Sequence, residues 1–318
     1  MRSNDLELII KICKMYYEEE LKQEEIANDL NISRAKVSRS ITKAKELGYI
    51  KTVVLDPFSI IKEKELRLAA TLGLKEVKIA ILEEGEVLKS VIGAKTGEYV
   101  MGLLKDGDII GVSWGVTMKN MIDSMVPSEI KDLTVVQLKG SIPNGKGEEI
   151  SYFVAEKLGE KFDANVRYLH APVMVSSKLL KQQLLNEPSI KAVVDLGKKA
   201  NIAVFTIGYP SKKSTISNCG YITGEELEDM RSKGAVGEIC SRFFNIDGTI
   251  YDNDLNDRNT SIELEDLREK EFSIGIAGGN NCVSAIIGAV NGGYINCLVV
   301  DEATADKLLM QKDFIKNR

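Results

Sequence analysis

The chain has 318 residues, of which 44% are hydrophobic, 28% charged and 6% aromatic, a composition that excludes a disordered or collagen-like protein. Its formal net charge of −5 excludes a chain that coats nucleic acid along its whole surface, so any such contact has to be local. The five cysteines are scattered without a C-x-x-C pair. This spacing suits neither a disulfide framework nor a structural zinc site and predicts reduced thiols in a cytoplasmic protein: Cys13, Cys219, Cys240, Cys282 and Cys297.

Three short helices are predicted at the N-terminus. Apolar side chains at positions 6, 9, 10, 13, 16 and 17 share one side of the first helix, and a second helix covers 23–30. Ser33 is a suitable N-cap for a third helix that runs toward a glycine at position 48. In this third helix Val37, Ile41 and Ala44 form the stripe that is expected to be buried.

The opposite face of the third helix is cationic. Positions 33–51 hold six basic side chains and one acidic side chain, whereas the rest of the chain is acidic. Two short helices joined by a tight turn, the second of them basic, are typical of a helix-turn-helix whose second helix enters the major groove of DNA. Arg39 has the planar fork for a bidentate guanine contact. The other predicted DNA-contacting residues are two base-edge candidates, two phosphate candidates and the cap: Lys36 and Ser38, Arg34 and Lys43, and Ser33.

The alternative interpretation of this helix is a solvated basic face on an unrelated bundle. The acidic second helix, the turn at Asn31-Ile32 and the cap favour DNA binding instead. A single head of this kind binds DNA weakly, because specific sites usually need two modules spaced by whole helical turns. A homo-oligomer is therefore expected.

The domain boundary is predicted at Asp56-Pro57, where proline ends a short strand over 49–55. This gives a DNA-binding domain over 1–56 and an effector-binding domain over 57–318. The second part alternates helices with short apolar runs, which predicts an α/β fold with a mostly parallel sheet covered on both faces. The predicted strands are 77–82, 109–113, 133–138, 203–207, 273–277 and 297–300. The uncharged stretch 272–300 is not expected to span a membrane, because six glycines and four asparagines interrupt it.

Glycine-bearing loops follow three of these strands. After 109–113 come Trp114 and Gly115 and then a helix over 119–125, an arrangement whose backbone N–H groups and helix dipole suit a phosphate or carboxylate. Ser113 and Thr117 can add hydroxyl donors. The other two strands run into Lys139-Gly140 and into Gly278-Gly279. Because ligands of parallel sheets bind outside the carboxyl ends of the strands, the three loops are expected to converge on one pocket.

Lys139 directly follows an apolar strand, a position that suits either a phosphate contact or an imine with an aldehyde sugar. The alternative is an exposed surface lysine. His170 is the only histidine of the chain, and we expect it to be structural rather than catalytic. We therefore expect neither a metal nor another cofactor.

Several sequence motifs together resemble the SorC family of bacterial transcriptional regulators, and in particular its deoxyribonucleoside-regulator (DeoR-type) branch. In the N-terminal part they are QEEIA at 23–27, NISR at 31–34 and VSR at 37–39. In the remainder they are GDIIGVSWG at 107–115, VVQLKG at 135–140, AVGEICSRFF at 235–244, NDR at 256–258 and AGG at 277–279.

The resemblance implies a winged helix-turn-helix joined to a Rossmann-like effector domain similar to sugar-phosphate isomerases. Such a domain is expected to bind a phosphosugar and to rearrange a dimer or tetramer on DNA. By position, Gly115 and Thr117 would hold the phosphate, and Glu238 and Asp257 would lie near the sugar. Lys139 matches the lysine suited to imine formation with deoxyribose 5-phosphate.

One position departs from the family pattern. Cys282 stands where the family usually has a lysine, so one expected phosphate charge is missing, and a neutral thiol cannot replace it. Either Lys139 or another cation compensates, or the effector has less phosphate charge than is usual for the family.

The sequence leaves three functions open. The first is a repressor that is relieved by a sugar phosphate, with operator DNA, the effector and further copies of the chain as partners. The second is an aldolase or isomerase that uses Lys139, with Glu238 or Asp257 as acid or base, localised by its DNA-binding head. The third is a constitutive architectural DNA binder, which would leave the glycine-looped sheet without a task.

Overall fold

The structure is a computed structural model that describes residues 3–51, 56–142, 146–212, 214–251 and 254–311. The chain divides into two compact units, which meet in sequence between Ile60 and Ile61. Within the described ranges, no helix combines the length and the apolar character that crossing a membrane requires.

The first unit is a small bundle of three helices, as predicted: α1 (Ser3–Tyr17), α2 (Gln23–Asp29) and α3 (Arg34–Glu46). Its core consists of side chains from all three helices: Ile12, Met15, Ile26, Ala27, Val37 and Ile41. Asn31, in the turn between α2 and α3, has a φ of 55°, a left-handed conformation that asparagine tolerates better than most residues. The bundle therefore closes around the apolar stripe that the periodicity of the third helix predicts.

The strand predicted over 49–55 is not seen in its described residues. Tyr49, Ile50 and Lys51 form no strand, and positions 52–55 lie outside the described residues. The backbone N–H of Tyr49 donates to the carbonyl of Ala44 at 2.9 Å, and Gly48 has a φ of +75°. These residues thus belong to the left-handed ending of α3.

The second unit alternates helices and strands. Helix α4 (Pro57–Leu72) starts at a proline, which suits the first turn of a helix. The strands are β1 (Glu76–Ala80), β2 (Ile109–Val112), β3 (Thr134–Gln137), β4 (Asn165–Arg167), β5 (Ile202–Gly208), β6 (Ala235–Ile239), β7 (Arg242–Asn245), β8 (Phe272–Ile276) and β9 (Cys297–Asp301). The helices are α5 (Leu88–Leu103), α6 (Val116–Ser124), α7 (Lys146–Phe162), α8 (Lys178–Asn186), α9 (Pro188–Lys199), α10 (Thr215–Asn218), α11 (Gly224–Ser232), α12 (Asp254–Arg258), α13 (Val283–Asn291) and α14 (Glu302–Met310).

Seven strands form a parallel sheet in the order β1-β9-β8-β5-β2-β3-β4. Central strands pair in register, with Gly111 opposite Ala203 and Phe205 opposite Gly275. An antiparallel hairpin of β6 and β7 extends from the end of β5, where Gly208 pairs with Glu238. The α/β class and the mostly parallel sheet predicted from the sequence are confirmed.

Two apolar cores cover the two faces of the sheet. Alternate residues of β2 and β3, such as Ile110 and Val135, face α5, α6 and α7, whereas Val136 and Phe205 face the side of α4 and α13. Because both faces are covered, a ligand can reach the sheet only at the ends of its strands. From β2 the chain continues to β3 on one side, whereas β5 lies on the other side, so the strand order reverses between β2 and β5. Crevices at such a reversal are the usual ligand positions of parallel sheets.

Candidate functional site

The basic face of α3 is a surface and not a packing face. Ser33 caps the helix, because its Oγ accepts the backbone N–H of Lys36 at 3.3 Å. Val37, Ile41 and Ala44 are buried on the opposite side. All six predicted DNA-contacting residues are exposed: Ser33, Arg34, Lys36, Ser38, Arg39 and Lys43. The helix therefore presents its cations to solvent, where a duplex can reach them.

The loop after β2 leads into an uncapped helix N-terminus. Gly115 precedes α6 with a φ of +153°, a conformation that is essentially restricted to glycine, and a Cβ placed on it would meet no heavy atom within 4 Å. Helix α6 has no side-chain cap, so the first N–H groups of its backbone lack intrahelical partners. Thr117 lies in this first turn. The helix begins at Val116, three residues before the predicted helix, because the glycine turn is already its N-cap.

Ser113 is buried beside this turn, with 3% of its surface exposed. Its backbone N–H donates to the carbonyl of Val204 on β5 at 3.0 Å. Its Oγ is buried and has no hydrogen-bond partner among the described residues. Leaving a buried hydroxyl without a hydrogen-bond partner costs free energy. A hydroxyl of this kind at the end of a strand is therefore a candidate for binding a ligand.

Trp114 and Lys139 bring two of the three loops together. The Nζ of Lys139 lies 4.0 Å from the centroid of the Trp114 ring, and the indole Nε1–H donates to the carbonyl of Gly140 at 3.0 Å. Trp114 is 2% exposed and Lys139 7% exposed, so Lys139 is not the surface lysine that the sequence left open. The ends of β2 and β3 are thus joined by a cation–π contact and a hydrogen bond.

Gly140 packs closely against Val173 and Thr260. A Cβ at this position would lie 2.6 Å from Oγ1 of Thr260 and 2.7 Å from Cα of Val173, so no larger residue fits. Its N–H donates to Oγ of Ser261 at 3.3 Å. The segment containing Thr260 and Ser261 therefore fixes the loop that bears Lys139.

The turn between β6 and β7 faces the same loop. Cys240 and Ser241 form this two-residue turn with φ values of 49° and 65°, and the backbone N–H of Ser241 donates to Oε2 of Glu238 at 2.8 Å. Burial raises the pKa of the Cys240 thiol to about 12, against the opposing charge of Lys139. Glu238 lies over Gly208, where a Cβ would meet its Oε1 at 2.5 Å. Glu238 and the turn thus stand at the end of β5.

Asp257 is engaged by a surface helix. Its Oδ2 lies 3.0 Å from Nζ of Lys178 at the start of α8, and both side chains are about half exposed. Nearby, Arg242 is buried and donates to the backbone carbonyls of several residues of the segment that supports Lys139: Asn256, Asn259, Ser261 and Ile262. Arg242 also pairs with Glu263 at 2.8 Å.

The third predicted loop has its own set of contacts. The N–H of Gly279 donates to Oδ2 of Asp301 at 2.9 Å, and a Cβ on Gly278 would overlap Ile92 of α5. Cys282 is buried, and its thiol donates to the carbonyl of Gly278 at 3.3 Å. Burial raises the pKa of this thiol, while the positive charge of Lys89 acts in the opposite direction. The group that stands where the family has a lysine is therefore neutral.

The structure thus places all three loops at the carboxyl edge of one sheet, but not all in contact with each other. Trp114, Lys139 and Gly140 touch directly, whereas Gly278 and Gly279 contact α5 and the start of α14, and Asp257 contacts α8. Sequence reasoning missed Cys240 and Ser241, because neither is a typical residue for a left-handed turn. It also missed Arg242, whose partners lie 14 to 21 residues further along the chain, and Lys178, whose partner is 79 residues away.

No cluster of three or more potential metal ligands occurs within the described part of the chain. His170 is exposed and lies beside Tyr152 and Tyr168, with ring centroids about 6 Å apart. This environment offers it no catalytic partner among the described residues.

Comparisons with known proteins show the family and the fold of the chain. Residues 56–310 match the family model described as "Putative sugar-binding domain". The chain is 38% identical to the deoxyribonucleoside regulator of Bacillus subtilis over 95% of this chain and 97% of that protein. It is 31% identical to the sorbitol operon regulator of Klebsiella pneumoniae over 96% and 99% of the two chains. The crystal structure of full-length SorC from Klebsiella pneumoniae superposes with a TM-score of 0.74, at 29% identity, over 96% of this chain and 100% of that one.

Proposed function

The chain belongs to the SorC family of sugar-binding transcriptional regulators and is not an enzyme, and from this membership we propose that it is a repressor controlled by a sugar phosphate. Its helix-turn-helix binds operator DNA in the absence of the effector. The effector binds at the carboxyl edge of the sheet and lowers the affinity for DNA. The assembly on DNA is a homo-oligomer, because one head offers a single recognition helix.

The proposal that the chain binds an effector rests on the contact between Trp114 and Lys139 beside the uncapped N-terminus of α6. An ammonium group, free backbone N–H groups and the unpartnered hydroxyl of Ser113 together form a set of donors for an anionic, hydroxyl-rich ligand. Glu238, at the end of β5, supplies an acceptor for sugar hydroxyls. Charged and neutral donors of this kind favour a phosphosugar over a free sugar.

We further propose deoxyribose 5-phosphate as the effector, held as an imine on Lys139. The similarity to the deoxyribonucleoside regulator of Bacillus subtilis supports a deoxyribonucleoside-derived ligand. The amine of Lys139 follows a strand end, is largely removed from bulk water and has no ion-pair partner within the described ranges, so an aldehyde carbon can approach it.

The effector acts by shifting a population. A ligand changes DNA affinity only if it binds the DNA-competent and DNA-incompetent assemblies with different affinities, and a typical coupling of ~1–3 kcal/mol corresponds to roughly 5- to 150-fold. We therefore expect the effector to weaken operator binding by at least about 10-fold.

The test begins with an operator selected from random duplexes by the purified full chain. Binding to this duplex is then titrated with deoxyribose 5-phosphate, ribose 5-phosphate, deoxyribose and inorganic phosphate. Release by a phosphosugar, but not by the free sugar or phosphate alone, is the expected result. Operator affinity that is unchanged by every sugar phosphate would contradict the effector half, and failure to select any duplex would contradict the DNA half.

The imine is tested separately by borohydride reduction and peptide mass analysis. Deoxyribose 5-phosphate is expected to be trapped on Lys139 and not in Lys139→Arg, which keeps the positive charge. Trapping without turnover of the sugar is the result expected of a sensor. If nothing is trapped although the sugar phosphate still releases DNA, the effector binds non-covalently.

A further inference from the structure

We propose that the indole of Trp114 sets the lifetime of the covalent complex between Lys139 and an aldehyde sugar, because the ring favours the cationic states of the lysine nitrogen over its neutral states. This inference rests on the imine chemistry of the proposed function. It makes Trp114 a positioning residue that controls how fast the sensor loads and unloads, and not how tightly it binds.

The geometry satisfies the requirements of a strong cation–π contact. The distance of 4.0 Å from Nζ to the ring centroid is well inside the range of about 6 Å over which the ring quadrupole attracts a cation. Tryptophan is the best aromatic partner, and the attraction grows when the pair is removed from water. Here both side chains are less than one-tenth exposed. The bond from Nε1–H to the carbonyl of Gly140 fixes the plane of the ring.

The ring lies against the charge of Lys139 where no ion pair competes for it among the described residues. No carboxylate forms an ion pair with this lysine in the part of the chain that the structure describes. The thiol of Cys240, whose charge state Lys139 influences, stays protonated at neutral pH because burial holds its pKa at about 12. Glu238 is already the acceptor for the N–H of Ser241. The face of Trp114, 4.0 Å from Nζ, is therefore a direct partner for this charge.

The chemistry of imine formation passes between cations through neutral species. The ammonium of Lys139 first loses a proton to solvent. The freed lone pair then forms a bond to C1 of the sugar while the C=O π electrons move to oxygen, and a proton passes from the nitrogen to that oxygen to give a neutral carbinolamine. Protonation of its hydroxyl lets it leave as water and gives the iminium cation. Overall, one ammonium and one aldehyde become one iminium and one water, and the charge is unchanged.

A ring that attracts cations therefore stabilises both ends of this sequence and not its middle. The ring stabilises the free ammonium and the iminium adduct by similar amounts, so the equilibrium between them changes little. The ring does not stabilise the neutral amine or the carbinolamine. The barrier between the ammonium and the iminium therefore rises in both directions. A desolvated contact of this type is worth about 30-fold in rate, which corresponds to ~2 kcal/mol.

The experiment uses the fact that the chain has one tryptophan. Biosynthetic incorporation of mono-, di- and trifluorinated tryptophan alters only this ring, and it withdraws π density with little change of shape. For each protein we measure the rates at which deoxyribose 5-phosphate adds to and leaves Lys139, by borohydride quenching at timed intervals. The equilibrium fraction of adduct is measured in the same samples.

The expected result is that both rates rise stepwise with fluorination, by about 10-fold across the series, while the equilibrium fraction stays within about 2-fold. One control separates positioning from folding: the affinity for 2-deoxyribitol 5-phosphate, which has no carbonyl group, should not change across the fluorinated series. Rates that are independent of fluorination, or an equilibrium that shifts while the departure rate stays constant, overturn the proposal.

The same series separates this inference from the proposed function. Absence of any adduct in the unsubstituted protein overturns the role of Trp114 together with the imine, even where the sugar phosphate still releases DNA. Rates that respond to fluorination in a protein whose DNA affinity ignores the sugar support Trp114 and overturn the effector role.

Discussion

Lys178 holds Asp257 at 3.0 Å, so a carboxylate expected near the effector is engaged by the first turn of a surface helix. An ion pair between two half-exposed side chains contributes about 0–1 kcal/mol, which is too little to keep Asp257 from a ligand. The pair therefore competes weakly with effector binding.

Replacing Lys178 by methionine should free Asp257 and strengthen the binding of deoxyribose 5-phosphate by up to about 5-fold, because the competing pair is worth no more than ~1 kcal/mol. Calorimetric titration measures the affinity. Lys191→Met is the matched control, because Lys191 forms a similarly exposed pair with Asp195 on α9. Weaker binding in the Lys178 variant, or the same gain in the Lys191 variant, would contradict a ligand role for Asp257.

Local periodicity predicted six of the seven parallel strands, because each of these six is a short apolar run between polar turns. It missed β4 (Asn165–Arg167), which has only three residues and no buried one. The run 203–207 became Ile202–Gly208, and 109–113 became Ile109–Val112. Strands β6 and β7 were not predicted, since their turn consists of Cys240 and Ser241, which lack the glycine or asparagine that usually indicates such a hairpin.

Long-range partners could not be predicted in the same way. Positions 178 and 257 are 79 residues apart, and no local pattern relates them. The convergence of loops on the sheet edge followed from the parallel topology, which explains why Trp114 and Lys139 were placed together. Which loops touch depends on side-chain packing, for example of Gly278 on Ile92, and this packing has no signature in a single sequence.

Arg242 organises the support of the effector site. Replacing it by methionine removes the guanidinium donor from four backbone carbonyls and one of the two cationic partners of Glu263, whose other partner is Lys181, so the free energy of unfolding should fall by about 3–5 kcal/mol. Urea unfolding followed by the fluorescence of the single tryptophan reports on the second unit alone. Arg268→Met, which removes an exposed arginine bonded to one carbonyl, should cost less than about 1.5 kcal/mol. Equal decreases in the free energy of unfolding in the two variants would show that the buried hydrogen bonds of Arg242 stabilise the fold no more than the bond of an exposed arginine.

Lys89 is a candidate for the cation that replaces the lysine expected at position 282 from the resemblance to the family. It lies in the first turn of α5, next to Leu88, which packs against Gly279, and its charge acts on the thiol of Cys282. Lys89→Gln should weaken binding of deoxyribose 5-phosphate by about 2- to 5-fold and leave the binding of deoxyribose unchanged. Lys95→Gln, on the same helix, is the control. An equal loss for the free sugar would mean that Lys89 does not act on the phosphate.

Burial of the Cys240 thiol makes stability depend on alkaline pH. The pKa of this thiol is raised to about 12 in the folded chain, so between pH 9 and 12 the unfolded chain loses the proton while the folded chain keeps it. The folded state then binds more protons, and the free energy of unfolding falls as the pH rises, by up to ~1.4 kcal/mol per pH unit from this group. Below pH 8 the thiol contributes no pH dependence. Urea unfolding at pH 8, 9, 10 and 11 should therefore show a shallower decline in Cys240→Ala than in the wild type, whereas parallel profiles would exclude this cause.

The exposed face of α3 predicts different roles for Arg39 and Lys43. Arg39→Ala should weaken binding to the selected operator by ~1–3 kcal/mol and relax preference at one base pair, because a bidentate contact to a base edge is lost. Lys43→Ala should weaken specific and random duplexes alike and reduce the slope of log affinity against log salt by about one, because a phosphate contact is lost. Both residues are exposed, so neither change should alter the melting of the fold or the shift of melting temperature produced by deoxyribose 5-phosphate. Fluorescence anisotropy at several salt concentrations measures both effects, and an Arg39 variant that loses affinity equally for every duplex would move this residue from the bases to the phosphates.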